Sequence, residues 1–228
     1  MAQLQTDEVS MIYAIGGEQI IAVDKVSIAI EKGEFVSLVG HSGSGKTTLL
    51  SILGGIAKPS SGSVRFEGRD IYGLNSDGLS EYRSEKIGFM FQFASLLSVL
   101  TAKENLLLPV LFKPSRKDAD GKLHEERAVE LLNMVGLGDR INAYPSQLSG
   151  GQQRRVAIAR AFMNDPELIL ADEPTGDLDE ETEADMMRFF SDMNKAQGVT
   201  FILVTHNTEL AGQAGRRMKM VHGKNEEQ

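Results

Sequence analysis

Apolar and polar positions alternate along the chain in blocks that predict a sheet interleaved with helices. The run 20–30 alternates into Val26, Ile28 and Ile30, which suits a half-buried strand ahead of the turn Glu31-Lys32-Gly33. Phe35-Val36-Ser37-Leu38-Val39 is a short apolar strand, and Thr48 to Leu53 has helical character. Gly54-Gly55 and Pro59-Ser60-Ser61-Gly62 punctuate the chain, after which Val64-Arg65-Phe66 reads as an edge strand ending at Gly68. Ile87 to Phe91 predicts another strand running directly into Gln92. From Phe93 to about Val156 the pattern turns helical, with a capping box at Thr101-x-x-Glu104, an amphipathic piece over Leu123 to Val135, and a charged loop, Lys113 to Lys122, between them. From Glu167 strand and helix alternate again: Leu168 to Ala171, a helix over about Glu180 to Gln197, then Val199 to Thr205. An α/β core with a helical insert between its halves follows. There are no repeats and no low-complexity segment.

Composition narrows the class. A chain of 228 residues with 41% hydrophobic and 25% charged residues fits one large globular domain. The net charge of −8 supplies no global basic field, so no nucleic-acid partner is expected. The chain has no cysteine, which removes disulfides, thiolate metal sites and a thiol nucleophile. No apolar run approaches the ~18 residues that a membrane span needs. Met1 to Ser10 carries Asp7 and Glu8 and lacks a basic, apolar leader, so the cytosol is the expected location, with any membrane role supplied through another chain.

Chemistry enters between the 35–39 strand and the helix after it. Gly40-His41-Ser42-Gly43-Ser44-Gly45-Lys46-Thr47-Thr48 is a P-loop in its strand–loop–helix setting. Glycines let backbone N–H groups wrap a triphosphate, and the helix N-terminus adds partial positive charge. Lys46 would reach the β- and γ-phosphates, and the Thr47 hydroxyl would ligate Mg²⁺. The strand Leu168 to Ala171 ends in Asp172 and Glu173. Such a strand is expected beside the P-loop strand, with Asp172 serving the metal. Glu173, one residue on, would point the other way by strand alternation, face the γ-phosphate and activate the attacking water.

Three further features are ambiguous on their residues alone. Ser149-x-x-Gln152 is a capping box, and Ser149-Gly150-Gly151 is equally an anion-binding helix start. Arg154, Arg155 and Arg160 behind it read most simply as a solvated or interface face. His206 and Gln92 each close a strand, where ligands sit in open α/β sheets, although a lone histidine or glutamine there is often incidental. Tyr13 alone reads as packing.

Together these residues resemble the ATP-binding-cassette (ABC) ATPases. Seven elements stand in the family's order: Tyr13, Gly40 to Thr47, Gln92, Leu148-Ser149-Gly150-Gly151-Gln152, Leu168 to Glu173, Gly176-Asp177-Leu178-Asp179, and His206. The pentapeptide at 148–152 separates this family from other P-loop proteins. The resemblance covers essentially the whole chain and implies a P-loop NTPase (RecA-like) core with an antiparallel β edge and an inserted α-helical subdomain. It implies one domain over 1–228, with the core at about 1–92 and 160–228 and the helical part at about 93–159. It also implies that Tyr13 stacks on adenine and that Gln92 bridges Mg²⁺ and a membrane subunit. Ser149, Gly150, Gly151 and Gln152 would touch the γ-phosphate bound by a partner copy, Asp179 would join the dimer seam, and His206 would grip the γ-phosphate near Glu173. The implied machine is a Mg²⁺-dependent ATPase working as a head-to-tail homodimer, with two ATP molecules between protomers.

Ile87 to Gln92, Asn105-Leu106-Leu107-Leu108-Pro109, Tyr144 to Leu148 and Ala171 to Gly176 are most similar to one subgroup. It holds the ATPases of macrolide exporters, lipoprotein-releasing complexes and the cell-division ABC system. The partner implied is an integral-membrane permease with four transmembrane helices and a large extracytoplasmic domain, with the cassette peripheral on the inner face of the cell membrane. Asp177 departs from the subgroup's usual asparagine and Asn207 from its usual aspartate; neither departure removes a catalytic group. The chain ends soon after His206, so the C-terminal regulatory domain of some sugar-importer ATPases is expected to be absent. Two other functions are weighed: a soluble cassette acting on nucleic acid or the ribosome, and a regulator of cell-wall enzymes that transports nothing. The first is disfavoured by the single P-loop, the acidic balance and the lack of heptads; the second shares every motif.

Overall fold

The computed structural model describes residues 2–112, 121–176 and 178–227, and of residues 15 and 227 the backbone alone. In chain order, strands β1 (Leu4–Ile15) and β2 (Glu18–Val26) form a hairpin, followed by β3 (Ala29–Ile30) and β4 (Phe35–Val39). Helix α1 (Lys46–Leu53) leads to β5 (Ser61–Phe66), β6 (Arg69–Asp70), α2 (Ser76–Glu81) and β7 (Ile87–Met90). Helices α3 (Ala102–Leu111), α4 (Gly121–Met134) and α5 (Gly150–Ala161) come next. The chain then returns through β8 (Leu168–Asp172), α6 (Glu180–Gln197), β9 (Thr200–Val204) and α7 (Thr208–Gly212) to a hairpin of β10 (Arg216–Val221) and β11 (Lys224–Glu227).

One sheet runs β11–β10–β4–β9–β8–β7, parallel except for β11; the other is antiparallel, β2–β1–β5–β6, with β3 also on β1. Period-two alternation explains why β8 and β9 are buried at every position. Ile169, Ala171, Phe201 and Leu203 face a core shared with α3 to α6. Leu168, Leu170, Ile202 and Val204 face the other core, under α1 and the antiparallel sheet. The helical stretch has no core of its own, since Leu106, Leu131 and Leu132 join Met90 and Phe201 in one cluster.

Several expectations need correction. The predicted strand over 20–30 is broken after Val26, and Ala29–Ile30 pairs instead with Leu4 and Gln5. β5 is not an edge, because the two-residue β6 covers its outer side. The stretch 93–156 is less helical than its composition suggests: 93–101 carries no helix, and 135–149 carries only the short 3-10 turn Pro145–Gln147. The capping box at Thr101 and Glu104 is present, and the charged loop falls largely outside the described residues. Most consequential, β8 does not lie beside the P-loop strand. The fully buried β9 sits between them, taking β4 on one side and β8 on the other. Helix α1 packs across this gap to β8, which still brings Thr47 to Asp172.

Where β8 begins, Glu167 accepts from Lys86 Nζ at 2.5 Å, Lys32 Nζ at 3.4 Å and Gln3 Nε2 at 3.5 Å. Burial pushes the Glu167 carboxyl up, but the hydrogen bond and charge of Lys86, with Lys32 behind it, outweigh burial and hold it below the usual glutamate value. A depressed carboxylate stabilises the fold above its unfolded value and loses that contribution as pH falls through the folded one. Glu167→Gln is therefore expected to lower the melting temperature near neutral pH, with the difference from the parent closing in acid. A pH series of thermal melts checks this, and a gap of constant size would contradict it.

Candidate nucleotide site

Two P-loop glycines, Gly40 and Gly45, leave no room for a Cβ, while Gly43 is set by its backbone alone, at φ +77°. At Gly45, where φ is +100°, a Cβ would lie 2.1 Å from the Ala22 carbonyl oxygen. At Gly40 it would lie 2.4 Å from that of Met220. The loop is thus wedged between β2 and β10, and the turn after β10 adds a bond from Gly223 N–H to Ser44 O at 3.1 Å. Lys46 Nζ reaches back over the loop and donates to Gly40 O at 2.7 Å and His41 O at 2.9 Å. Ser44 Oγ is buried in the loop without a hydrogen-bond partner.

The loop forms one wall of a cavity of about 660 Å³, a size that suits a nucleotide. Gly40, Ser42, Gly43, Gly45, Lys46, Thr47 and Thr48 line it from below. Gln92, Asp172, Glu173 and His206 close the far side. Thr47 Oγ1 donates to Asp172 Oδ2 at 2.6 Å, placing two hard oxygens together. Among the described residues no cluster of three or more His, Cys, Asp or Glu stands ready for a metal. That donor set fits Mg²⁺, which takes one carboxylate and a hydroxyl and completes its shell with phosphate and water. Gln92 stands two residues past the end of β7 rather than on it.

Glu173 reaches the cavity for a reason other than strand alternation. β8 ends at Asp172, and Glu173 takes a left-handed backbone with φ +48°. Its amide is fixed by Val204 O at 3.0 Å. A non-glycine residue held in that region is strained, and here the strain re-aims the side chain so that both acids face one cavity. His206 Nδ1 lies 2.9 Å from Glu173 Oε1. A carboxylate only accepts, so Nδ1 carries the hydrogen and Nε2 is left for another group. Glu173 is 17% exposed and His206 77% exposed, so the acid is sheltered and the imidazole reaches outward.

The ABC transporter family profile matches residues 23–176. The lipoprotein-releasing system ATP-binding protein LolD of Geobacter metallireducens is 43% identical over 93% of this chain and 92% of its own. The chain belongs to the ABC transporter family. It is an ATP-binding cassette ATPase of the kind found in MacB and LolD systems. The macrolide export ATP-binding/permease proteins MacB of Syntrophobacter fumaroxidans and Rhodopirellula baltica are each 42% identical, over 98% and 92% of this chain. The cassette spans only 31% of the length of either MacB. Two solved structures of the cassette MJ0796 are similar at 41% identity, each covering 98% of both chains. A dimeric post-hydrolysis state bound to ADP and Pi superposes with a TM-score of 0.92, and a dimeric bacterial ABC transporter cassette with 0.93.

The remaining expected residues of the cassette stand apart from the cavity. Ser149 caps α5, accepting from Gln152 N–H at 3.2 Å while Gln152 Oε1 accepts from Ser149 N–H at 2.9 Å. Gly150 and Gly151 open that helix. Asp179 caps α6 by accepting from Thr182 N–H, and that bond holds its carboxyl below the usual aspartate range. None of these lines the P-loop cavity. Tyr13, exposed on β1, stands in register opposite Ile20, which does line it. Asp177 lies outside the described residues. Asn207, in place of the subgroup's usual aspartate, caps α7 by accepting from Glu209 and Leu210 N–H.

Two parts of the site escape a reading of the sequence. Ile20, Ile21 and Ala22 form an apolar wall, their exposure hidden inside an ordinary strand pattern. The arginines are not a solvated face. Arg154 is 3% exposed, lines the cavity and donates to Phe91 O and Gln92 O. Arg155 donates to Val135 O, and Arg160 to Ala94 O and Ser95 O; burial lowers the Arg160 pKa. The signal was present: Arg154 lies one helical turn from the buried Ile158.

Proposed function

We propose that the cassette hydrolyses Mg²⁺-ATP at a head-to-tail homodimer interface and so drives a separate integral-membrane permease. The permease would be of the macrolide-exporter or lipoprotein-release type, with few transmembrane helices and a large extracytoplasmic domain. The cassette would then work on the inner face of the cell membrane, with residues 93–159 as its helical arm. One observation carries this reading: Lys46, Thr47, Asp172, Glu173 and His206 converge on one cavity, while Ser149–Gln152 and Asp179 remain outside it. A second copy would bring the missing half, and the dimeric MJ0796 structures favour that arrangement. Among the described residues no helix is long and apolar enough to cross a membrane, so coupling needs another chain or segment.

In this mechanism the adenine packs on Tyr13 and the apolar wall at Ile20 and Ile21. P-loop amides and Lys46 hold the β- and γ-phosphates. Thr47, Asp172 and Gln92 would hold Mg²⁺, which supplies charge neutralisation on the phosphates. Glu173 accepts a proton from the attacking water as its oxygen bonds to the γ-phosphorus, and the bond to the bridging oxygen of ADP breaks. His206 holds the Glu173 carboxylate through Nδ1 and offers Nε2 to the γ-phosphate. The helix start at Ser149 of the second copy, with open amides and a helix dipole, stabilises the same phosphate.

Capture of tagged Glu173→Gln protein from gently solubilised membranes with Mg²⁺-ATP tests the coupling. Mass-spectrometric recovery of a four-helix permease with a large outer domain is expected. Recovery of soluble partners alone would overturn the permease assignment.

A further inference from the structure

Glu173 and His206, which meet in the cavity, stand on separate loops, one after β8 and one after β9. A single carboxylate behind them touches both loops. Glu183, in the first turn of α6, accepts from Thr175 Oγ1 at 2.9 Å through Oε1 and from Asn207 Nδ2 at 3.4 Å through Oε2. Thr175 lies two residues past Glu173 and is buried, and Asn207 directly follows His206. Glu183 itself does not line the cavity. The sense of the Asn207 contact is fixed by its other end. Asn207 Oδ1 accepts from Glu209 N–H at 2.9 Å and Leu210 N–H at 3.4 Å, so turning the amide over would forfeit the cap of α7. Its donor end therefore faces Glu183. An aspartate at 207 would keep the cap but set a second carboxylate against Glu183, and like charges repel.

We propose that Glu183 is a positioning residue that braces the loops behind Glu173 and His206, and that Asn207 is the uncharged partner this brace requires. This rests on the hydrolytic reading given above, in which Glu173 takes the proton of the attacking water. The loop after Glu173 starts from a strained residue at φ +48° and closes on a long bond, Gly176 N–H to Glu173 O at 3.4 Å. The bond from Thr175 Oγ1 to Glu183 anchors that loop to α6. With one carboxylate oxygen on each loop, their separation is held, and with it the 2.9 Å contact between Glu173 Oε1 and His206 Nδ1. Lys46 and Thr47 lie outside this set of contacts, so ATP binding does not pass through the brace.

The test is a double-mutant cycle of Asn207→Asp and Glu183→Gln, read as kcat and KM for ATP alongside the melting temperature. Asn207→Asp is expected to lower kcat by roughly 10–100-fold, the scale of a misplacement of about 1 Å, with KM within about 2-fold. Glu183→Gln alone sets one amide donor against another and should lower kcat by about 3–10-fold. Combined, the two changes rebuild the pair with its polarity reversed: the amide at 183 accepts from Thr175 and donates to the carboxylate at 207. The double variant should therefore return to within about 3-fold of the parent kcat. The cap of α7 survives in every variant, so the melting temperature should not follow kcat through the cycle. Parental kcat in Asn207→Asp, or losses that add in the double variant, would overturn the brace. Should Asn207→Asp unfold at the assay temperature, Glu183→Gln against the double variant decides: recovered turnover supports the brace and a deeper loss overturns it. Glu173→Gln is assayed in parallel. Parental turnover there would overturn the hydrolytic reading itself, whatever the cycle gives, which keeps the two failures apart.

Discussion

Glu173→Gln should abolish sustained ATP hydrolysis while leaving ATP binding nearly intact. The amide keeps the size and hydrogen-bonding reach of the carboxylate, so the backbone at φ +48° and the contact with His206 can persist. What it cannot do is accept a proton. Loss of a positioned general base costs about 10²–10⁴-fold, so turnover is expected to fall by that amount. With binding retained and the chemical step blocked, ATP-bound dimers should accumulate. Steady-state phosphate release, paired with an ATP titration, checks both halves. Unchanged steady-state hydrolysis would remove Glu173 from the mechanism.

Lys46→Ala should produce the second large effect, on affinity instead of turnover. The ammonium sits 2.7 Å and 2.9 Å from the carbonyl oxygens of Gly40 and His41, on the loop that the triphosphate must enter. Moving from those carbonyls to phosphate oxygens exchanges neutral acceptors for charged ones, which strengthens each bond. Hydrogen bonds to charged groups contribute about 1.5–3 kcal/mol, so ATP affinity should drop by roughly 10–100-fold or more. Isothermal titration with ATP and Mg²⁺ measures it. Helix α1, which Lys46 opens, buries Leu49, Leu50, Ile52 and Leu53 independently of the Lys46 side chain, so the fold should survive. An unaltered ATP titration would contradict the P-loop assignment.

The parts of this site that are readable from sequence are those written locally. Glycine spacing before Lys46, an apolar strand ending in Asp172 and Glu173, and the Ser149/Gln152 box each state their geometry within a few residues. The helix limits at Glu180 and Gln197 are legible for the same reason, since Asp179 caps one end and Gly198, at φ +69°, closes the other. Strand order is not local. β8 and β9 are equally apolar on both faces, and nothing in either marks which one should adjoin β4. The conformation of Glu173 is also hidden, because a glutamate carries no sign that its backbone will be left-handed. Arg154 and Arg160 mislead for a third reason: their charge suggests a solvated or interface face, whereas the carbonyls of 91–95 to which they donate come into view only once that segment is placed.

The most direct test of the shared site is ATPase activity as a function of protein concentration at saturating Mg²⁺-ATP. Each cavity is lined by Lys46, Asp172 and Glu173 but not by Ser149 or Asp179, so in the proposed head-to-tail dimer a lone chain would hold half a site. Specific activity per chain should rise with concentration and level off as dimers fill. Specific activity that stays constant from dilute to concentrated protein would contradict a site completed by a second copy.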